Sequence, residues 1–422
     1  MSDKKLKTES YKGVRDFYPK DMAIQRYIFD TWSKTAESFG FERYDASILE
    51  SSDLYRSKGA QNEEMVNEQT YTFIDRGERE VTLRPEMTPT IARMVAGQRR
   101  ELKFPLRWYS IPNLFRYERP QRGRLREHWQ LNCDIFGTDD FTADVEIISL
   151  AYQTLIDFGA TPEMFEIRVN DRALMKRAYN ALGINDEMIA NITRLNDRRN
   201  KIDQNTYRSE LTNITNNDLL SEEIIIILDQ SDEQTDLILG LQQLGITNVI
   251  FDKSISRGFD YYTGTVFEIF DVSGENNRSL IGGGRYDNLT SMFSDEPISG
   301  IGFGMGDVTM RDFLETHKLI PAHIHSTAPT LMIIPTEPSL NLEAQKIAKM
   351  FRCHDIKVST DIGTKKLGKK ISDAAERSTT YAIIVGTDEI ENGKFVLKNL
   401  SLNNEESGTI DELSTIIIAN TY

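Results

Sequence analysis

The sequence has few cysteines and no long apolar run. Its two cysteines, Cys133 and Cys353, can build neither a disulfide framework nor a cysteine-rich zinc site. No stretch reaches the roughly 18 consecutive apolar residues that are needed to cross a bilayer. The N-terminus, MSDKKLKTES, lacks the apolar segment of a secretory signal. These absences predict a cytoplasmic protein without a membrane partner.

Motifs of several common enzyme classes are also missing. The five histidines show no spacing typical of zinc ligands, so we expect no metal bound by the protein alone. The patterns G-x-x-x-x-G-K-[ST] and G-x-S-x-G are absent, which argues against a P-loop nucleotidase and against a serine hydrolase of the elbow type. His128, beside Trp129 on a predicted strand, is expected to be structural.

The composition is otherwise that of a globular protein. Of 422 residues, 39% are hydrophobic and 27% are charged, and this length predicts two or three domains. The net charge of −15 argues against unspecific polyanion binding over the whole surface. Between Arg99 and Arg126, however, nine basic residues oppose two acidic ones. Because this positive segment interrupts an acidic chain, we expect an anionic ligand there.

The pattern of apolar residues predicts an α+β protein with two domains. Residues 1–327 combine strands with flanking helices. Over about 171–250 the sequence pattern is that of helices without strand alternation, which predicts a helical insertion. After a linker at 325–329, strands alternate with helices, which predicts a three-layer α/β domain over 328–422. The strands predicted in the first domain are Arg107–Tyr117, His128–Phe136, Phe165–Asn170, Tyr261–Phe270, Gly282–Gly284 and Gly300–Gly306.

An arginine-rich connection, Glu118–Glu127, joins two of these strands and predicts a hairpin with a long loop. Alternate residues of a strand share a face, so Arg116 and Glu118 should project together. Further arginines follow at Arg119, Arg122, Arg124 and Arg126. Guanidinium forks match phosphate oxygens, so this hairpin is predicted to bind a polyphosphate, the alternative being a solvated charged loop.

Three other segments combine polar side chains with turns or glycines. Thr82–Thr88 ends a strand before a helix, where Thr88 could simply cap that helix. Arg257–Gly264 places an arginine, an aspartate and two tyrosines around two glycines, which predicts a pocket wall. The alternating glycines of Gly300–Gly306 would admit a ligand or a tightly packed neighbour, and the pattern does not decide between them.

In their order along the chain, these segments resemble histidyl-tRNA synthetase, a family of class II aminoacyl-tRNA synthetases. The matching elements are T-L-R-P-E at Thr82–Glu86, F-R-Y-E-R-P-Q-R-G-R at Phe115–Arg124, R-G-F-D-Y-Y-T-G-T-V-F-E at Arg257–Glu268 and G-G-G-R-Y-D at Gly282–Asp287. The resemblance implies an antiparallel catalytic sheet flanked by helices, followed by an anticodon-binding domain. It also implies a homodimer that uses L-histidine, ATP with Mg²⁺ and histidine tRNA.

The resemblance further implies roles for individual residues. Arg116 and Arg257 would be catalytic by gripping the reacting phosphate, and Glu118 and Arg124 would join them in binding ATP. The residues expected to bind histidine are Glu86, Met87, Thr88, Gln130, Asp134, Tyr261 and Tyr262. Those expected to bind tRNA are Gln121 and Arg122 at the hairpin tip, and Lys365, Lys366, Lys369 and their neighbour Lys370 in the second domain.

Four positions depart from the family pattern. Asp134, which with Tyr262 would hydrogen-bond the imidazole, stands where the family commonly has glutamate. Met87 stands where glycine is usual, and Ser47 replaces a proline of the dimer motif. The class pattern has an ATP-contacting arginine at the position of Thr309, and here an arginine follows only two residues later, at 311.

A regulatory subunit of ATP phosphoribosyltransferase is the alternative function. That relative resembles the synthetase but lacks the anticodon-binding domain and commonly loses parts of the catalytic motifs. Here Thr330–Tyr422 is present, and Arg116, Gln130 and Arg257 are retained. The expected function is therefore ATP-dependent attachment of histidine to its tRNA through a histidyl-adenylate. A plain nucleic-acid-binding module ranks third, because it would not need the histidine pocket.

Overall fold

A computed structural model describes residues 6–56, 68–199, 202–229, 235–255, 261–321, 324 and 328–421. The chain divides into two compact units, Met1–Ala322 and His323–Tyr422. Arg257 and Asp260, with most of the predicted linker at 325–329, lie outside the described residues.

The first unit is built on a large sheet. Its described strands are β1 (Glu42–Arg43), β2 (Leu49–Ser51), β3 (Tyr71–Ile74), β4 (Glu80–Leu83), β5 (Leu106–Ser110), β6 (Asn113–Phe115), β7 (Glu127–Phe136), β8 (Phe165–Asp171), β9 (Val249–Phe251), β10 (Thr265–Asp271), β11 (Ser279–Arg285) and β12 (Gly300–Gly306). The large sheet has the order β1-β5-β7-β12-β11-β10-β8-β9, with β6 pairing with β7. Only the end pairs β1–β5 and β8–β9 are parallel among these described strands. A small antiparallel sheet has the order β2-β4-β3.

Helices flank the large sheet, as the fold prediction requires. They are α1 (Pro19–Ser38), α2 (Asp53–Arg56), α3 (Thr88–Gly97), α4 (Phe141–Asp157), α5 (Arg172–Ala181), α6 (Asp186–Asp197), α7 (Gln204–Thr215), α8 (Asp218–Asp229), α9 (Asp236–Gln243) and α10 (Asp307–Thr316). Helices α5 to α9 lie between β8 and β9 in the chain, and α5 to α8 share a small core of their own. The predicted α+β class is thereby confirmed.

Strand β7 shows how the sequence divides the two faces of the sheet. Successive side chains of a strand point to opposite faces. Leu131, Cys133 and Ile135 therefore join the buried core beneath α1, α4 and α10. The intervening residues, including Gln130 and Asp134, face the other side, where the candidate site lies. Burial of the apolar face stabilises the strand, and the polar face is left available for binding.

Arg15, near the start of the chain, has a structural role. Asp307 begins α10 and is fully buried. Its carboxylate accepts hydrogen bonds from Arg15 Nη2 at 2.7 Å, Gln25 Nε2 at 2.9 Å and the Trp129 backbone amide at 2.9 Å. Three donors compensate for burying the charge. Asp307 thus fixes the N-terminal segment, α1 and β7 to the start of α10.

The second unit is a three-layer α/β domain. Its described strands are β13 (Leu331–Pro335), β14 (Val358–Thr360), β15 (Tyr381–Val385), β16 (Phe395–Asn399) and β17 (Glu405–Gly408), in the order β14-β13-β15-β16-β17. Its helices are α11 (Asn341–Arg352), α12 (Leu367–Glu376), α13 (Thr387–Asn392) and α14 (Ile410–Thr421). Apolar residues of β13 and β15 pack against α11 and α14 on one face of the sheet and against α12 on the other.

Two strand predictions were wrong in detail. The strand predicted over Arg107–Tyr117 is two strands, because β5 and β6 are separated at Ile111 and Pro112 and pair with different parts of β7. The strand predicted from Tyr261 begins only at Thr265.

Candidate active site

A small, open cleft lies on the polar face of the large sheet. Its wall is made by residues of β7, β11 and β12 and of the segments after β6, after β11, at the start of α3 and before β10: Glu86, Thr88, Arg116, Gln130, Asn132, Tyr261, Tyr262, Gly282, Tyr286, Gly302, Phe303 and Gly304. The structure thus brings together six of the predicted site residues, although they come from four separate segments of the sequence.

Glu86 is a buried residue two positions before the start of α3. Its side chain is 3% exposed, and its Oε2 accepts a hydrogen bond from the Tyr261 hydroxyl at 3.1 Å. Thr88 also lines the cleft. The alternative that Thr88 caps the helix was wrong, because α3 begins at Thr88 itself, after Met87, without a side-chain capping bond. A buried carboxylate beside a hydroxyl suits an ammonium group.

Met87, predicted to bind histidine, does not line the cleft. Its side chain is fully buried, and its sulfur lies 3.7 Å from Arg84 Nη1. Arg84 in turn donates to the backbone carbonyls of Ala46 at 2.8 Å and Asn113 at 3.1 Å. The methionine therefore supports the turn that carries Glu86 and Thr88 rather than facing the cleft.

Asp134 lies behind the wall of the cleft. Its side chain is 2% exposed, and its Oδ1 accepts a short hydrogen bond from the Tyr286 hydroxyl. Its Oδ2 has no hydrogen-bond partner within the described part of the chain. Burial raises the pKa of Asp134 from 3.8 to about 7, and the bond from Tyr286 only partly opposes this. The carboxylate is therefore a buried acceptor that a hydrogen-bond donor would stabilise.

Three tyrosines form an aromatic wall beside these carboxylates. The ring centroids of Tyr261 and Tyr262 are 4.8 Å apart, and those of Tyr261 and Tyr286 are 6.0 Å apart. Tyr261 donates to Glu86 and Tyr286 donates to Asp134. The wall thus presents two phenol–carboxylate pairs around an otherwise aromatic surface, which suits a flat ligand with polar atoms at its edge.

The glycines of β12 make room for side chains of β7. A methyl group added to Gly302 would lie 2.1 Å from Asp134 Oδ1, and one added to Gly304 would lie 2.2 Å from Gln130 Nε2. At Gly302 the methyl group would also lie 2.7 Å from the Cys133 backbone oxygen, so close packing requires glycine there. At Gly304 only the end of the Gln130 side chain would have to move. Both glycines thus make room for side chains on the polar face of β7.

Positive charge gathers at one end of the cleft. Arg116 lines it, and its Nε is held by the Pro85 carbonyl at 2.9 Å. Arg124 forms an ion pair of 2.7 Å with Glu118, which is almost fully buried. Burial, reinforced by Arg116, Arg15 and Arg124, lowers the pKa of His128 to about 3. Burial is the main cause of this shift, and the smaller contributions show that Arg116, Arg15 and Arg124 all lie near His128. Arginines so placed suit an anion site.

The hairpin tip packs against α10 in this structure. Arg122 Nη2 lies 3.3 Å from Thr316 Oγ1 and 3.9 Å from Glu275, with the arginine side chain 58% exposed. Gln121 is exposed as well. The fourth arginine of the hairpin is structural, since Arg126 lies 3.9 Å above the ring of Tyr117 and is buried.

The lysine cluster of the second unit is partly neutralised. Lys369 forms an ion pair of 2.9 Å with Asp373, and Lys365 also pairs with Asp373. Lys366 is exposed at the start of α12. The expectation that Lys370 belongs to this surface was wrong, because it is 5% exposed and lies 3.4 Å from the Pro335 carbonyl.

Two residues of the cleft were missed by sequence reasoning, and both could have been found. Asn132 lies between Gln130 and Asp134 on the same face of β7, so strand alternation alone predicts it. Tyr286 belongs to the G-G-G-R-Y-D element, which was recognised without a role for its tyrosine. The neighbouring Arg285 faces away and forms a buried ion pair with Asp144 of α4.

Comparisons with known proteins match both units. A family profile described as histidyl-tRNA synthetase matches residues 13–307, and one described as anticodon binding domain matches residues 330–420. The histidine–tRNA ligase of Leptospira biflexa is 41% identical, covering 98% of this chain and 98% of its own. That of Thermoplasma volcanium is 38% identical, covering 97% and 98%.

The fold is found in a solved structure as well. A crystal structure of histidyl-tRNA synthetase from Nostoc superposes with a TM-score of 0.80 at 22% identity, covering 99% of this chain and all of that one. At that identity the superposition establishes the fold alone. Within the residues described above, no helix is both long and apolar enough to cross a bilayer.

Proposed function

The chain belongs to the histidyl-tRNA synthetase family, and on that premise we propose that it attaches histidine to its cognate tRNA at the expense of ATP. The observation that carries the proposal is the cleft itself. Distant sequence segments bring the buried carboxylates Glu86 and Asp134 and the arginine Arg116 to one face of one sheet. A histidine and a triphosphate are together complementary to that arrangement.

We propose that histidine binds in the cleft in the following orientation. Its ammonium group would lie against Glu86 and Thr88, and its carboxylate near Gln130, at the end towards Arg116. Its imidazole would then lie between Tyr262 and the buried acceptor Asp134. A donor nitrogen on the ligand would satisfy Asp134 Oδ2. Side chains without such a nitrogen would leave the carboxylate unpaired, which supplies selectivity.

Adenylation requires little covalent help from the protein. A carboxylate oxygen of histidine attacks the α-phosphorus of ATP, the bond to the bridging oxygen breaks, and pyrophosphate leaves with its electron pair. Arg116 and Arg257 are proposed to hold the reacting phosphate, with Arg124 and Glu118 near the outer phosphates. Fixed guanidinium groups stabilise the charge that builds up at phosphorus more than that of bound ATP.

Magnesium is proposed to enter with ATP. Mg²⁺ is usually bound through one or two carboxylates together with substrate phosphates. The described residues contain no group of three or more acidic, histidine or cysteine side chains that could hold a metal alone. Glu118, buried beside the arginine cluster, is a suitable single carboxylate. The ion would neutralise charge on the outer phosphates.

Homodimer formation is proposed from the small sheet. Its strands and the residue before them expose apolar side chains: Ile48, Leu49, Phe73 and Ile74 are 41%, 46%, 46% and 63% exposed. The strand register places Leu49 and Phe73 on the same face of the small sheet, and exposed apolar side chains of this kind are typical of an interface. Ser47 adjoins Ile48, and these side chains are exposed despite the replaced proline. A cytoplasmic location is proposed from the tRNA-charging activity.

The second unit is proposed to read the anticodon, with Lys365, Lys366 and Lys369 near tRNA phosphates. In the first unit, Gln121 and Arg122 are proposed to lie near the acceptor end of the tRNA.

The decisive assay is charging of histidine tRNA by the purified chain with histidine and ATP. The regulatory-subunit alternative predicts no charging, and it predicts stimulation of an added ATP phosphoribosyltransferase. Charging without such stimulation would support the ligase, and the reverse pattern would refute it.

A further inference from the structure

Arg278 is a half-buried arginine whose charge is not paired within the described residues. It immediately precedes β11, at the end of the turn that leads from β10. No carboxylate in the described part of the chain forms an ion pair with it, whereas its hairpin neighbours Arg122 and Arg124 both have one. Arginine side chains that lose water usually gain an anionic partner.

Its position places Arg278 beside the arginine hairpin. A methyl group added to Gly123 would lie 3.0 Å from Arg278 Cδ, so the arginine stem packs directly against the hairpin loop. Burial and the charge of Arg124 both lower the pKa of Arg278, and Glu118 opposes them. Glu118 is already engaged by Arg124 at 2.7 Å. The charge of Arg278 is therefore left without an ion-pair partner among the described residues, and a bound anion would supply one.

The same loop contact involves Thr309. The methyl group added to Gly123 would lie 3.4 Å from Thr309 Cγ2, so Thr309 and Arg278 flank one point of the hairpin. Thr309 itself offers no charge, and its hydroxyl donates to the Gly306 carbonyl at 3.1 Å. Arg311 is not available to contact ATP in place of an arginine at position 309, because it pairs with Asp21 at 3.1 Å and with Glu315 at 2.8 Å.

We propose that Arg278 binds the outer phosphates of ATP together with Arg124, and supplies from β11 the positive charge that the chain lacks at Thr309. The proposal rests on the proposed function. In adenylation the electron pair of the broken bond passes to the oxygen that bridged the α- and β-phosphates of ATP, which leaves as a terminal oxygen of pyrophosphate. A guanidinium held beside that leaving group would stabilise it, and would also bind pyrophosphate in the reverse reaction.

The test compares ligands that differ only in their outer phosphates. Arg278→Ala and Arg278→Gln would be titrated in the full-length chain with ATP, pyrophosphate and AMP, without histidine. We expect affinity for ATP and pyrophosphate to fall by about tenfold or more, because a charge-assisted pair is lost. Affinity for AMP should stay within about twofold. Arg278→Lys should restore part of the loss, since lysine supplies the charge without the fork.

Arg311→Ala is the matched control, because it removes an arginine of α10 that is already paired; its affinity for ATP should be close to that of the parent. Thermal unfolding of each variant identifies any general loss of structure. If Arg278→Ala does not fold, Arg278→Gln serves in its place, because glutamine keeps a polar side chain at this position without the charge.

The proposal is overturned if both variants bind ATP as the parent does. It is equally overturned if AMP and ATP weaken together, which would place Arg278 at the adenosine or the α-phosphate. A loss confined to tRNA charging, with normal pyrophosphate binding, would assign Arg278 to a tRNA phosphate and also overturn it. Since these titrations need no histidine, they remain informative if the parent chain proves not to activate histidine, which would refute the proposed function alone.

Discussion

We expect the buried carboxylate of Asp134 to lower the stability of the folded protein and to bind the imidazole of histidine. The substitution Asp134→Asn separates these two effects. Burial raises the pKa of Asp134 from 3.8 to about 7. A change of that size corresponds to about 4 kcal/mol against the ionised carboxylate in the empty cleft. Asparagine removes this penalty, and its oxygen can still accept from Tyr286, although burying the amide donors costs about 1–3 kcal/mol. Above pH 7 the variant should therefore be the more stable protein.

The pH dependence gives this prediction its sign. Because the folded pKa is raised, the folded parent binds a proton between about pH 4 and pH 7 that the unfolded chain does not, so the parent loses stability as pH rises through that window. The variant lacks this loss. Its stability advantage over the parent should grow with a limiting slope of about 1.4 kcal/mol per pH unit there and level off above pH 7.

The assay is denaturant unfolding of parent and variant from pH 4.5 to pH 8, followed on the transition of the Met1–Ala322 unit. Asp139→Asn, which changes an exposed aspartate just after β7, is the control and should show no comparable slope. Histidine KM, measured at pH 8, should rise by about 5- to 150-fold in the Asp134 variant with little change in ATP KM. A pH-independent difference in stability, or an unchanged histidine KM, would refute the reasoning.

Further variants test other parts of the account. Gly302→Ala should raise histidine KM and destabilise the catalytic unit by about 1–3 kcal/mol in unfolding experiments, because its methyl would lie 2.1 Å from Asp134 Oδ1. Gln121→Ala should slow tRNA charging without slowing pyrophosphate exchange, and equal losses would move the hairpin tip to ATP. Arg257→Ala should lower the adenylation rate by about 10²-fold or more while its unfolding transition stays that of the parent. A loss of stability at a normal adenylation rate would instead indicate that Arg257 pairs with Asp260 and only holds the turn. A chain ending at Ala328 should retain exchange, if it still dimerises, and lose most charging.

The sequence predicted those parts of the site that depend on local pattern. The hairpin arginines were recognisable from composition and from their spacing between two strands. The histidine-site residues Glu86, Thr88, Gln130 and Asp134 were assigned through the family resemblance. Alternation along β7 is compatible with Gln130 and Asp134 sharing one face, but by itself it gives them no role.

Contacts between distant segments could not be predicted in the same way. Asp134 meets Tyr286 across 152 positions of sequence, and no local pattern encodes that pairing. The reason for the glycines of β12 also depends on register, because Gly302 pairs with Asp134 across the sheet. Likewise, Arg126 looks like Arg124 in the sequence, and only tertiary structure shows that Arg126 packs over Tyr117 whereas Arg124 pairs with Glu118.

The central claim is that this cleft activates histidine, and histidine-dependent exchange between ATP and labelled pyrophosphate tests it most directly. The purified chain should exchange label with L-histidine and Mg²⁺ present. Exchange should fall to background when histidine is omitted or replaced by glutamine or phenylalanine, because neither satisfies the buried Asp134 as an imidazole does. Absence of exchange with histidine, or equal exchange with either replacement, would contradict the account.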